Sequence, residues 1–162
     1  MLIYLRHGDD RGDDEYRHDR HLNDRGRKKA GKAFSDLAGK YGDPDTVFVS
    51  PFRRAVETLD AMAEHFTRAV EVHRDGRIAQ YLGGKRDPQI SPETTTQVAI
   101  DEDRDGFRAR VRNHVEDVRR RGEAGVAIWC ITHQSVIEEV AGYFDVTIRG
   151  DLDFLDHFLM LG

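Results

Sequence analysis

Gly125-Val-Ala-Ile-Trp-Cys-Ile-Thr132 is the most continuous apolar run in the chain, and it ends directly on His133. A short run that is apolar at every position reads as a strand buried on both faces. Met1 to Leu5 carries the same signature and stops at Arg6-His7-Gly8. Thr46 to Val49 carries it again and stops at Ser50-Pro51. Between these runs the spacing changes to the helical period. Asn23 is a good N-cap, and Ala30, Ala33, Phe34, Leu37 and Ala38 follow at helical spacing up to the Gly/Pro stop at Tyr41-Gly42-Asp43-Pro44.

The same reading extends over the rest of the chain. Phe52 to Phe66 predicts a helix with Ala55, Leu59, Met62, Ala63 and Phe66 on its inner side. Val70 to Val72 predicts a strand, and residues 75–100, rich in Gly, Thr and Pro, read mainly as loop. Phe107, Val111, His114, Val115 and Val118 space out a helix from Asp103 to Arg121. Another, carrying Val136, Ile137, Val140 and Tyr143, follows His133, and His157 to Leu161 predicts the last strand. Apolar strands alternating with helices define an α/β class, a three-layer sandwich with a mostly parallel central sheet and helices on both faces. With no internal repeat, low-complexity tract or interior linker, residues 1–162 are expected to form a single domain.

Composition narrows the functional classes. Lys and Arg number 25 against 30 Asp and Glu, a formal charge of −5, which argues against a nucleic-acid partner. No run approaches the roughly 20 apolar residues of a membrane span, so no membrane association is expected. The start lacks the basic and apolar segments of a secretory signal. The single cysteine, Cys130, excludes an internal disulfide framework and a cysteine-rich zinc module. A soluble cytoplasmic protein is expected, and no motif sets its oligomeric state.

The chemistry lies at the strand ends. In open α/β sheets the carboxyl ends of the strands form the ligand crevice, and here they carry His7, His133 and Ser50. Arg6, with Arg53 or Arg54 at the start of a helix, adds positive charge. Two imidazoles, guanidinium groups and a helix N-terminus suit a tetrahedral dianion, a phosphoryl group. The reading that follows is phosphoryl transfer through a histidine nucleophile, with arginines holding the equatorial oxygens. Any one of these residues alone reads more simply as a strand-end side chain bonded to backbone or a surface ion pair; their convergence at three strand ends favours chemistry.

Leu5-Arg6-His7-Gly8 resembles the signature of the histidine phosphatase (phosphoglycerate mutase-like) superfamily. Leu22-Asn-Asp-Arg-Gly26 with Ala30 is similar to that family's "L-T-x-x-G" helix start. Ser50-Pro-Phe-Arg-Arg-Ala-Val-Glu-Thr58 is similar to its "S-P-L-x-R-A-x-Q-T" segment, which aligns Arg54, not Arg53, with the pocket arginine. Phe107 and Arg110-Val111 resemble the helix before the last core strand, and Ile131-Thr132-His133 the "V-S/T-H" strand end. The matches run in the family's order from residue 2 to about 140. The resemblance implies that His7 is the phosphorylated nucleophile, that Arg6, Arg54 and His133 complete the phosphate pocket, and that neither metal nor other cofactor is needed.

Two departures from the pattern point to a subclass. Mutase and sugar-phosphatase members carry a Glu proton donor after an "L-R" pair, and the matching stretch here is Arg77-Ile-Ala-Gln80. An amide cannot protonate an alkoxide leaving group. The family's "H-G" after the last strand is His133-Gln134 here, and the acid phosphatase "H-D" is absent. With a short chain and Asp9 following Arg6-His7-Gly8, the pattern looks most like the small bacterial phosphohistidine phosphatases. A phosphoramidate or acyl phosphate needs less help from an acid, so phosphohistidine and other good-leaving-group phosphates are expected, on a phosphorylated small molecule or a phosphoprotein. Gly8, Asp9, Gln80 and Gln134 are the expected substrate-binding positions. Asp9, Asp10 or a loop carboxylate such as Glu93 are the candidates to supply a proton instead. The alternatives are a broad phosphomonoesterase on sugar or nucleotide phosphates, and a non-catalytic phosphate-binding module.

Other signals carry less. Asp101-Glu-Asp-Arg-Asp-Gly106 imitates half of a calcium loop but has Arg112 where the bidentate Glu belongs, so a charged helix N-terminus accounts for it better. His18 and His21 among the acidic residues of 9–21 read as a solvated loop that borders His7 and could act as a lid. Cys130 has Val136 where a cysteine phosphatase needs Arg, and reads as a buried, inert thiol.

Overall fold

The computed structural model describes residues 1–10, 18–84, 89–148 and 150–160. Its elements run β1 (Leu2–Arg6), α1 (Asp24–Tyr41), β2 (Thr46–Val49), α2 (Arg53–Ala63), β3 (Glu71–Arg74), a 3₁₀ turn (Gly76–Ile78), α3 (Pro92–Thr95), α4 (Arg104–Glu123), β4 (Ile128–Thr132), α5 (Gln134–Tyr143) and β5 (His157–Met160). The sheet order is β3-β2-β4-β1-β5. β1, β2, β3 and β4 pair in parallel, and β5 closes the β1 edge antiparallel.

The period-two geometry of each strand sorts its side chains onto two cores. Leu2, Tyr4, Phe48, Ile128 and Cys130 point to the face covered by Phe107, Val111 and Val115 of α4 and Val136, Ile137 and Val140 of α5. Ile3, Leu5, Val47, Val49, Trp129 and Ile131 point to the other face, against Ala30, Phe34 and Leu37 of α1 and Ala55, Leu59 and Met62 of α2. This is the expected three-layer sandwich, and it explains why the strands read as continuously apolar.

Local signals set the boundaries. Asn23 caps α1 by accepting from the Gly26 N–H at 2.7 Å, and Gly42 takes φ 78° just past its end. Asp103 caps α4 through the Gly106 N–H at 2.8 Å, the role that the calcium-like segment actually plays. The second helix is shorter than the spacing predicts, ending at Ala63, which is exposed. The stretch expected as loop over 75–100 contains the 3₁₀ turn and α3. Leu161, the expected end of the last strand, and most of the acidic stretch 9–21 lie outside the described residues.

Strand register positions the site. Arg6 pairs opposite Thr132 and Val49 opposite Ile131. The His7 N–H then donates to Thr132 O at 2.9 Å, and the Ser50 N–H to Ile131 O at 2.9 Å. Three parallel strands therefore deliver His7, Ser50 and His133 side by side at one edge of the sheet.

Candidate active site

The His7 and His133 rings lie 5.1 Å apart, centroid to centroid. His7 Nδ1 sits 2.8 Å from Gly8 O, an acceptor only, so Nδ1 carries the proton and Nε2 presents a lone pair. Arg54 Nε donates to that Nε2 at 3.0 Å. Ser50 Oγ is 2.7 Å from His133 Nε2, and an Arg54 terminal nitrogen stands 3.4 Å from His133 Nδ1. Both imidazoles are held well below the ordinary histidine range, first by burial and then by the Arg54 charge, although Gly8 O and Asp9 pull His7 the other way. Neutral His7 is the form that can act as a nucleophile.

Arg54 is the hub. Burial lowers its pKa to about 10 against the pull of Asp10 and Asp19, so it stays charged at neutral pH. Besides the two histidines, its guanidinium reaches His18 O at 3.0 Å, Gln80 Oε1 and, at 3.4 Å, Asp10 Oδ2. Arg53 faces the other way: its N–H donates to Asp19 at 2.8 Å and its guanidinium meets His21 at 3.2 Å. Arg54, and not Arg53, is thus the guanidinium that meets both histidines. Arg6 donates to Gln134 Oε1 at 3.3 Å and to Leu152 O, with its guanidinium 4.5 Å from the Phe154 ring centre. Its Nε is buried without a partner among the described residues.

A cavity of about 340 Å³ opens onto Arg6, His7, Gln80, Tyr81, His133 and Gln134. Wider depressions elsewhere, such as one of about 590 Å³ over Met1, Val118 and Met160, lie away from these strand ends. Of the predicted substrate-binding residues, Gln80 and Gln134 stand on the cavity wall. Gly8 serves through its backbone: its N–H donates to Thr58 Oγ1 at 2.9 Å, and a Cβ there would meet Gly26 O and Leu22 at 3.2 Å. Asp9 is buried behind the site, its C=O accepting from Asn23 at 3.0 Å and its backbone packed where a Cβ on Gly26 would come within 2.3 Å. Glu93 pairs with Arg74 at 3.1 Å with a largely exposed side chain, apart from the cavity.

Several supporting residues were not among the predicted site residues, although Thr58 and Arg110 lie in segments that resemble the family's. Thr58 bridges Gly8 N–H and Arg54 O, at 2.9 and 2.6 Å, and its place one turn after Arg54 was the available signal. Asp19, fully buried, accepts from Arg53 N–H, Ser91 and Thr94, and it is indistinguishable from its neighbours in a charged run. Arg110, clamped by Glu102 at 2.8 Å, holds the backbone before Gln80 through Arg77 O at 2.7 Å. Phe154 packs on His7 with ring centres 5.7 Å apart and has no sequence signal at all.

Behind the site, Asp75 accepts from Arg77 and His114, at 2.8 and 2.9 Å, and His114 Nε2 stands 3.5 Å from Cys130 Sγ. Burial pushes the Cys130 thiol well above its usual range, the inert thiol expected. His21 pairs with Glu57. No group of three or more His, Cys, Asp or Glu among the described residues is arranged to hold a metal ion. No described helix is long and apolar enough to cross a membrane.

Two neutral imidazoles and two arginines at the carboxyl edge of a parallel sheet form an arrangement that suits a phosphoryl group. Residues 2–147 match the histidine phosphatase superfamily (branch 1), and the chain belongs to that family. It is a phosphatase. The protein histidine phosphatase SixA, solved with tungstate, is 20% identical, with 86% of this chain and 74% of that chain covered at a TM-score of 0.61. A mycobacterial glucosyl-3-phosphoglycerate phosphatase is 20% identical over 96% of this chain and 87% of that one, at a TM-score of 0.68. The putative phosphohistidine phosphatase SixA from Agrobacterium tumefaciens is 16% identical over 88% and 74%, at 0.60. These likenesses bear on the fold. No curated protein matches the chain significantly.

Proposed function

We infer that this phosphatase works without a metal, through a phosphohistidine intermediate on His7, and that it prefers phosphohistidine or other phosphates with good leaving groups, on a phosphoprotein or a small molecule. The observation that carries the reading is His7 itself: buried, neutral, protonated on Nδ1, and presenting Nε2 to the buried Arg54 guanidinium. The Nε2 lone pair attacks phosphorus, the bond to the leaving group breaks, and the phosphoryl oxygens take the Arg54 donors and the Arg6 Nε–H. His133, neutral and backed by Ser50, supports the same oxygens. Water then cleaves the P–N bond, and His7 recovers its lone pair.

Gln80 supports the leaving-group preference. Its carboxamide faces Arg54 where the family resemblance places a proton-donating Glu, and it has no acidic proton to give. An N-phosphorylated imidazole that is protonated on its other nitrogen departs neutral, with no acid needed. Two of the similar structures are described as histidine or phosphohistidine phosphatases, which fits. The test is hydrolysis of p-nitrophenyl phosphate in excess chelator by the wild type and His7→Ala. Chelator-resistant turnover that disappears in the variant is expected. A folded wild type without turnover points instead to a phosphate-binding module. Alkyl phosphates cleaved as fast as phosphoramidate would point to a broad phosphomonoesterase.

A further inference from the structure

The geometry points to Asp10 as the general base that activates water against phospho-His7, an assignment that rests on the His7 reading above. One nitrogen, Arg54 Nε, neighbours both groups: its N–H donates to His7 Nε2 at 3.0 Å, and it forms an ion pair with Asp10 Oδ2 at 3.4 Å. The carboxylate and the atom on which the phosphoryl group is carried thus have one guanidinium nitrogen as a common neighbour. Its side chain is 17% exposed, so water reaches it, whereas Arg54 beneath is 5% exposed.

Charge explains why such a carboxylate is kept. A carboxylate beside a bound phosphoryl dianion repels it, which is a liability in a site built from arginines and helix ends unless the carboxylate takes part in the reaction. The partner on Arg54 indicates which part. Ion-paired to Arg54, the carboxylate offers an oxygen that can take a proton. As an acceptor Asp10 fits the second half-reaction, where water gives up a proton, and not the first, where the leaving group takes one up. Gln80, on the same guanidinium, is neither acid nor base, Glu93 is engaged with Arg74 outside the cavity, and Glu138 on the cavity wall meets Gln134, at 2.8 Å, and not Arg54.

After the first transfer the leaving group has gone and the phosphoryl group sits on Nε2. Arg54 Nε–H turns from the nitrogen lone pair to a phosphoryl oxygen. Asp10 removes a proton from water as its oxygen bonds to phosphorus. The P–N bond breaks, its electron pair returns to Nε2, and inorganic phosphate departs. Asp10 then releases the proton to solvent.

The test is pre-steady-state hydrolysis of p-nitrophenyl phosphate by the wild type, Asp10→Asn and Asp10→Gly. General-base assistance is worth on the order of 10²–10⁴-fold. Asp10→Asn is therefore expected to release one p-nitrophenolate per active site at close to the wild-type rate. Its steady-state rate should then fall about 100-fold or more, with acid-labile, alkali-stable phosphate accumulating on the protein. Formate should restore steady-state turnover to Asp10→Gly, an effect that a purely structural role would not produce. A burst and a steady state that fall together, with no rescue by formate, would mean that Asp10 only orients Arg54. Unchanged steady-state turnover in Asp10→Asn would also overturn the assignment. A wild type without His7-dependent turnover would remove its foundation along with the His7 reading, which separates that failure from the other two.

Discussion

Three buried imidazoles make the fold sensitive to mild acid. His7, His133 and His114 are each at most 5% exposed, and burial is the first cause that depresses each of them. For His114 the hydrogen bond to Asp75 opposes that depression. In the unfolded chain a histidine titrates near 6.5. The folded state binds these protons less readily, so their contribution to stability is full above about pH 6.5 and is lost as pH falls toward the depressed folded values. Between pH 7.5 and 5.5 each fully depressed group contributes a loss of about 1.4 kcal/mol. Allowing for the partial compensation at His114, the total is about 3–4 kcal/mol, against a typical stability of about 5–15 kcal/mol. At about 2.1 cal/mol/K of unfolding entropy per residue, a chain of 162 residues should lose about 9–12 °C in Tm. Asp75 is held well below the usual carboxylate range by His114 and Arg77, so it stays ionised across this window and does not contribute. Thermal melts followed by circular dichroism at the two pH values, at one ionic strength, measure the shift. His133→Gln should remove about a third of it. A shift under about 4 °C, or one that His133→Gln leaves unchanged, would refute the reasoning.

Three further perturbations test the site. Gln80→Glu places a carboxyl group against Arg54 and should raise turnover of an alkyl phosphate relative to an aryl phosphate by about tenfold or more, with the gain shrinking as pH rises and the new group ionises; an unchanged ratio in steady-state assays would reject the role given to Gln80. Thr58→Val leaves the buried Gly8 N–H without its acceptor and should cost about 1–3 kcal/mol in denaturant titration while also lowering kcat/KM, because the His7–Gly8 peptide loses its anchor. Asp19→Ala strands the Arg53 N–H and the hydroxyls of Ser91 and Thr94. A loss of about 3 kcal/mol is expected from the same titration.

Much of this architecture rests on local information. The apolar runs ending at His7, Ser50 and His133 are strands because their residues suit a surface covered on both faces, and the chemistry is concentrated where they stop. The caps at Asn23 and Asp103 and the turn at Gly42 follow from side-chain and backbone preferences within a few residues. The α/β class, the parallel majority of the sheet and the placement of Arg6, His7 and His133 at strand ends are legible in the chain for that reason, whereas Arg54 is told from Arg53 only by the family resemblance. Residues with a helical period were easier to place than the end of α2, where Ala63 and Phe66 keep the spacing after the helix has stopped.

The remainder depends on contacts between residues far apart in the chain, which no local period encodes. Arg54 meets His7 across 47 positions because α2 packs its first turn onto the strand ends, and His133 meets Ser50 across 83 because the register of β2 and β4 sets them side by side. The same packing turns Arg53 outward to Asp19 and His21, brings Phe154 onto His7 and sets β5 antiparallel on the β1 edge. It also separates the candidate carboxylates. In the sequence Asp9, Asp10 and Glu93 are equivalent acids near a site. In the fold Asp9 packs its backbone against the first turn of α1, Glu93 pairs with Arg74, and Asp10 reaches the guanidinium that holds the nucleophile. A residue's type is written in the chain, but the charge it faces and the water it meets are set by neighbours that only folding supplies.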